Sequence, residues 1–353
     1  MRILAIGINV RHIACSAFRA GHEVFAADCF CDLDLERCAR QTAQIPREVS
    51  PVCVSDYVER FHPHAVVLGP GFEEARVSGI PVLNNGAEIA ARVSDKLRLA
   101  GWLEANGFPA INTRSGPDGL EFPFLVKPRK GAGGVGCRMV TSAADLDWTD
   151  DLIAQEYVSG KPASVSVIGN GREARAVAAN EQLVGEAWAG AEGFRYAGSI
   201  TPLAEERCRM MKMAEEIVAG LGLVGSNGVD FLLTPEGPVV VEVNARFQGS
   251  LDTVEMSAGL NIFQAHLESF AGDLPGRSCP HGTAGRAIIY ARRDLEIHED
   301  LRPIGDWITD VPRPGSRICR GEPILSILAE GRSRGEVYSM LKERAAEIYK
   351  RIA

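Results

Sequence analysis

The segment FPFLVKPRKGAGGVGCRMV, residues 122 to 140, joins two apolar stretches through a glycine run with a lysine just ahead of it. Gly131, Gly133 and Gly136 spell G-x-G-x-x-G, a spacing met where backbone approaches a phosphate. The residues just after the loop decide which folds are open to the chain. A P-loop ends in Gly-Lys-Ser/Thr, so that the lysine reaches the phosphates and the hydroxyl binds magnesium. Here the loop ends Gly136-Cys137-Arg138. A dinucleotide-binding loop runs directly into a helix whose N-terminus meets the pyrophosphate. Here the next residues, CRMVT, read as a strand. The pattern that remains is a hairpin flap, in which two strands flank a glycine loop whose amides close over a triphosphate. Lys127 then sits on the incoming strand as a point charge, and Arg129 and Lys130 add local positive charge. A plain surface turn with solvated lysines is the competing reading of the loop alone.

The chain has 353 residues, enough for two or three domains at roughly 100 to 200 residues each. It opens with a strand, RILAIG, then helical spacing in VRHIACSAFRAG, which stops at Gly21, then a strand, EVFAAD. These strands are continuously apolar, as in a parallel sheet covered on both faces. AVVLGPGF and PVLNN add two more. Residues 1 to about 90 therefore read as a Rossmann-like doubly wound domain. Its first turn lacks the glycine fingerprint, although Asp28 ends the second strand where a dinucleotide fold places its ribose acid. A nicotinamide-dependent oxidoreductase is accordingly the weaker alternative.

Further on, EIAARVSDKLRLAGWLEANGFP reads as one amphipathic helix stopped by Gly107 and Pro109. The two flap strands come next, then a short helix in SAADLDW with Ser142 as N-cap. LIAQEYV and ASVSVIGNG are strands, the second turning at Asn170-Gly171. Helices are expected over 204–221, 257–272 and 334–352, with strands in GRAIIYA and ICRGEPILSILAEG. The class is α/β with an α+β lid. The expected spans are 1–90, 91–175 for the lid, and 176–353 for a C-terminal unit.

The net charge of -8 argues against a nucleic-acid surface, though a pocket can be locally basic on an acidic protein. No stretch is long enough for a membrane helix, and the start is not succeeded by a cleavage pattern, so a cytoplasmic protein is expected. The nine cysteines read as buried, reduced thiols. Cys29 and Cys31, with Cys38 nearby, lack zinc-ribbon spacing. Of the seven histidines, His266 in an apolar helix reads as a satisfied core residue, and His62 and His64 as solvent-facing.

The stretch GVDFLLTPEGPVVVEVNARFQGS carries Asp230 on one strand and Glu242 and Asn244 on the next. Glu242 and Asn244 are two apart and project from one sheet face, with Arg246 next along the same face. Hairpin pairing can bring Asp230 beside them. Two carboxylates and an amide oxygen suit Mg²⁺, and acids with an arginine on an apolar strand are costly unless something uses them. A buried salt bridge between Glu242 and Arg246 is the plain alternative.

Taken in order, SDK, FLVKPRKGAGGVG, AQEYV, VDF and VEVNAR resemble the ATP-grasp superfamily along almost the whole chain. The resemblance implies an N-terminal preATP-grasp domain, a lid carrying the flap, and a C-terminal domain carrying the metals, with ATP between the last two. It places Lys127, Lys130, Gly131, Gly133 and Gly134 on the phosphates, with Lys96 from SDK on the other side of the nucleotide. Gln155, Glu156, Tyr157 and Val158 become the hinge strand that meets adenine. Asp230, Glu242 and Asn244 hold Mg²⁺, two ions being usual and Mn²⁺ an accepted substitute. Arg246 steadies the transferred phosphoryl group and, with Lys127, forms the catalytic pair. Two departures stand out. Pro162 occupies the neighbourhood where an acid often binds the ribose, and Asp230 stands where glutamate is common.

Such enzymes phosphorylate a carboxylate to an acyl phosphate, which an amine then displaces, so the protein positions and neutralises charge. The acceptor site is expected just past the metal strand, where Gln248, Ser250, Asp252 and Glu255 lie, with Arg286 on a later strand. An arginine can hold a carboxylate in a two-pronged fork, and Asp252 or Glu255 an ammonium. These acids capping or solvating the next helix is an equal alternative. The chain is also similar to the shorter archaeal-type ligases that build amino-acid-derived cofactors. The expected partners are small carboxylates and amines, with no nucleic acid and no membrane. A homodimer is common among such relatives. A non-catalytic ATP sensor on the same fold is the remaining alternative.

Overall fold

The computed structural model describes residues 1–46 and 53–352. Strands β1 (Arg2–Ile6), β2 (Glu23–Asp28), β3 (Gln41–Gln44) and β4 (Ala65–Leu68) form a parallel sheet in the order β3-β2-β1-β4. Ile3 and Ala5 pack with Ile13 and Ala17 of helix α1 (Arg11–Arg19), and Leu4 and Ile6 with Val54 and Phe61 of α2 (Val54–Phe61). Because both faces are covered, β1 has no polar side.

The single helix expected after this domain is two, α3 (Ala87–Ser94) and α4 (Lys96–Ala105). Asp95 between them is extended and caps α4 by accepting from the Arg98 N–H at 3.2 Å. An aspartate gains more as a cap than inside a helix, and Asp95 also pairs with Arg129 at 2.8 Å. The break starts α4 at Lys96.

A small antiparallel sheet comes next: β5 (Thr113–Arg114), β6 (Phe124–Pro128), β7 (Arg138–Val140) and β8 (Leu152–Glu156), in the order β5-β8-β6-β7. The SAADLDW segment makes a single 3₁₀ turn over Ala143–Asp145. The next strand leaves this sheet. β9 (Lys161–Asn170) lies between β10 (Ala174–Val184) and β12 (Val224–Thr234), with β11 (Tyr196–Thr201) beyond β10. The large sheet is completed by β13 (Gly237–Asn244), β14 (Thr283–Tyr290), β16 (Ile308–Thr309) and β18 (Pro323–Gly331). Its order is β13-β12-β9-β10-β11-β14-β18-β16. β15 (Leu295–Glu296) and β17 (Arg317–Ile318) pair separately. The last strand of the small sheet ends at Glu156, and β9 belongs to the large sheet because it finds antiparallel partners on both sides.

Helix α5 (Arg207–Gly220) covers one face of the large sheet, where Met210, Ala214 and Ile217 meet Val165, Ala179 and Phe231. Within the expected 257–272 span the helix is α7 (Ile262–Phe270); a separate helix, α6 (Leu251–Ala258), precedes it and stops at Gly259, whose φ is +63°. Both join α1 and β1 in one apolar cluster, which seats the N-terminal domain on the large sheet. α8 (Arg334–Arg351) closes the far end against β14 and β18.

The cysteines depart from expectation. Cys15 on α1 and Cys38 form a disulfide, with Cα atoms 4.9 Å apart, because the loop after β2 folds back over α1 within bridging range. Cys29 and Cys31 are buried thiols, whereas Cys53, Cys208, Cys279 and Cys319 are exposed. Among the described residues, no three His, Cys, Asp or Glu side chains cluster as a metal site, and no helix is long and apolar enough to cross a membrane.

Candidate active site

A cavity of about 1090 Å³ runs between the small sheet, the large sheet and the N-terminal domain. The hairpin of β12 and β13 sets Asp230 directly opposite Glu242, so the two carboxylates share one face with Asn244. The Asn244 amide donates to Asp230 at 3.2 Å and Glu242 at 3.3 Å, while its oxygen accepts from Arg246 at 2.9 Å. Arg246 is held from the other side by Glu73 of the N-terminal domain at 2.7 Å.

Three cations surround this hairpin. Lys96, at the first turn of α4, lies 3.6 Å from Glu242 and donates to the Gly131 carbonyl at 2.7 Å. Lys127, buried on β6, donates to Gln155 at 2.7 Å. Burial lowers its pKa, and Glu242 opposes that. Burial pushes Glu242 up, but Lys96, Lys127 and Arg246 together hold it below the usual carboxylate range. Asp230 feels these cations less and is pushed up to about 8 by burial and by the charge of Glu242. Two adjacent carboxylates in this state are suited to a divalent cation between them. Asp230, Glu242 and Asn244 fit Mg²⁺ by donor chemistry once the Asn244 amide is turned to present its oxygen, an orientation set only by hydrogen bonding.

The glycine loop lies over the cavity. The Tyr196 N–H donates to the Gly133 carbonyl at 3.2 Å. Gly134 has φ of +75° and faces the Phe194 carbonyl so closely that any Cβ would collide with it. Only glycine permits both. Gly131, Gly133 and Gly134 line the cavity, as do Gln155, Glu156, Tyr157, Val158 and Pro162. Lys130 is elsewhere: it turns away to an exposed ion pair with Glu74 at 2.8 Å.

The residues expected to bind the acceptor divide. Gln248, Ser250 and Arg286 line the cavity, Ser250 3.2 Å from the Ser166 hydroxyl. Asp252 lies behind that wall in a two-pronged pair with Arg11, at 3.0 and 2.7 Å. Glu255 faces α1, bonded to Ser16 and Arg19, and accepts from the Ile262 N–H at 2.7 Å. Those contacts occupy it in joining α1 to α7.

Sequence reasoning missed several side chains here. Asn9, His12 and Asp32 of the N-terminal domain line the cavity, with Asp310 from the end of β16 beside them. Arg286 donates to Asp310 at 2.6 Å and to Ser326 at 2.8 Å, and Arg11 reaches Asp310 at 3.0 Å. A run of three aspartates within seven residues, Asp28, Asp32 and Asp34, was the one available signal. Asp28 is fully buried and accepts from the N–H groups of Val10, Phe30 and Cys31, so its carboxylate shapes the first turn and has little left for a ribose. His266 is a core residue, accepting from the Ser226 N–H at 2.9 Å, with its other ring nitrogen 2.9 Å from the Leu83 carbonyl.

Residues 93–250 match the ATP-grasp domain family. The chain is 26% identical over 277 residues to 3-methyl-D-ornithine–L-lysine ligase of Methanosarcina barkeri, covering 72% of each chain. Its fold matches biotin carboxylase of Campylobacter jejuni with a TM-score of 0.76 at 18% identity, over 96% of this chain and 89% of that one. It matches L-amino acid ligase of Bacillus licheniformis with a TM-score of 0.70 at 19% identity, over 97% and 96%. Residues 93–250 thus carry an ATP-grasp domain, with the glycine flap, the flanking lysines and the acid hairpin in one cavity, and the relatives that the chain resembles include carbon–nitrogen ligases.

Proposed function

We propose that this ATP-dependent carboxylate–amine ligase activates an amino-acid carboxylate as an acyl phosphate and joins it to an amine, releasing ADP and phosphate. The observation that carries the reading is the convergence of Lys96, Lys127 and Arg246 on the Asp230–Glu242 pair in one cavity. Lys96 and Lys127 offset phosphate charge from two sides, and burial makes each charge count for more than it would in water. Arg246, fixed between Glu73 and Asn244, is placed to steady the phosphoryl group in transfer. The strand end from Gln155 to Val158 borders the place for adenine. Asp230, Glu242 and Asn244 would hold Mg²⁺, two ions in the proposed form with Mn²⁺ as a substitute, which supplies neutralisation of phosphate oxygens. Gln248, Ser250 and Arg286 border the acceptor. The relative named for joining two amino acids supports this substrate class.

The acyl phosphate is testable by trapping. With MgATP, hydroxylamine and a panel of amino acids, the enzyme should form a hydroxamate of one acid in step with ADP release. Nucleotide binding without hydroxamate or ADP on any acid would make the protein a sensor and overturn the reading. A homodimer is part of the proposal, and light scattering checks it.

A further inference from the structure

We infer that the end of the cavity formed by the N-terminal domain is a subsite for an ammonium group of the substrate, built from Asp32, Asn9 and His12. This deepens the ligase reading and rests on it.

Five aspartates and two arginines converge beneath this wall, and all but one of the acids is accounted for. Asp28 takes three backbone N–H groups. Asp34 takes two, from Asp310 at 3.0 Å and Val311 at 2.8 Å. Asp252 is gripped by Arg11, and Asp310 lies between Arg11 and Arg286. Asp32 is left over. It is 3% exposed and lines the cavity, and among the described residues no cation pairs with it. Its side chain has one long hydrogen bond, from the Asn9 amide at 3.4 Å. A buried carboxylate without a counter-charge is costly. Burial and the nearby charge of Asp310 raise its pKa to about 9.

His12 is the independent sign that something enters here. It is 4% exposed, it lines the same cavity, and among the described residues neither ring nitrogen has a hydrogen-bond partner. Burial holds its pKa down at about 3, so the ring is neutral and one nitrogen is a vacant acceptor. Buried polar atoms are seldom left unpaired. The Asn9 amide nitrogen is already committed to Asp32 and Asp310, which leaves its oxygen able to accept. An ammonium brings one positive charge and three donors, matching two neutral acceptors and the Asp32 carboxyl, which releases its proton to solvent when a positive charge arrives beside it. The surplus of acids excludes a phosphate or carboxylate from this end. No group of three or more potential metal ligands among the described residues competes for the role.

The test is calorimetric titration of the full chain with L-lysine, L-glutamate, L-alanine and simple alkylamines, beside the deaminated counterpart of each. At least one amine-bearing compound should bind, its deaminated form at least about tenfold more weakly. Asp32→Asn should weaken the same compound by a similar factor, while ATP affinity is kept and the melting temperature is equal or higher. Equal binding of amine and deaminated forms, unchanged affinity in Asp32→Asn, or no binding by any amine in the panel would each overturn the subsite. If the variant fails to fold, the comparison of ligands on the wild-type chain still decides. Hydroxamate formation with no amine preference would sink the subsite alone. Absence of ATP binding would sink the ligase reading.

Discussion

The two ends of the cavity bury ionisable groups in opposite balances. At the hairpin of β12 and β13, two carboxylates face three cations, Lys96, Lys127 and Arg246. At the wall of the N-terminal domain, five aspartates face two arginines. The first end is short of negative charge and is made for an anion such as a triphosphate with its metal. The second is short of positive charge. A buried imbalance of either sign is unfavourable in the empty protein, so each end is completed by what it binds. Polarity along one cavity orients a substrate that carries a positive group at one end and reacts at the other.

The comparison is broken most severely at the first end. Glu242→Ala should lower ADP release by roughly 100-fold or more, the scale of losing a charge-stabilising group at a transition state. Retained turnover in the folded variant would remove Glu242 from the chemistry. At the second end the largest effect is on stability. Arg11 is 3% exposed and pairs with Asp252 and Asp310, so Arg11→Ala removes the close partner of Asp252, leaving it only the 3.7 Å contact with Arg286, and leaves Asp310 to Arg286 alone; it should cost about 3 to 5 kcal/mol in urea unfolding. A loss under about 1 kcal/mol would show that the network is not cooperative.

The pH dependence sharpens the contrast. Asp32 has an ordinary value of 3.8 and is pushed up to about 9 in the fold. Between those values the folded state keeps a proton that the unfolded state has released, so its contribution to stability falls as pH rises from about 4 to about 9. Asp32→Asn removes that slope. Its melting temperature relative to the wild type should therefore climb between pH 5 and pH 9, and a constant difference would refute the raised value. The smallest effect is expected at Lys130. Its exposed pair with Glu74 is worth about 0 to 1 kcal/mol, and Lys130→Ala should change ATP affinity far less than Lys127→Ala. Equal effects would mean that Lys130 swings into the site when nucleotide binds.

Much of the first end was legible because it is local. Strand periodicity puts Glu242, Asn244 and Arg246 on one face, and a short turn, TPEGP, brings Asp230 beside them. The glycine loop between two strands announces a flap for the same reason. Asp95 hid the start of α4, since an aspartate inside a helical pattern reads as part of one long helix until its capping bond is seen. Lys130 resembles Lys127 in sequence and differs only in which way its strand end turns. Asp252 and Glu255 sat at the right distance past the metal strand, yet arginines from α1 hold them behind the wall.

By itself the sequence determined the α/β layering, the flap and the acid hairpin, because those arise from the repeat of side chains along a strand and from the turn that joins neighbours. The tertiary structure alone decided the other end of the cavity. Asn9, His12 and Asp32 meet Arg286 and Asp310 only because α1 packs on α6 and α7, and burial turns those scattered residues into a charge imbalance that no local pattern encodes.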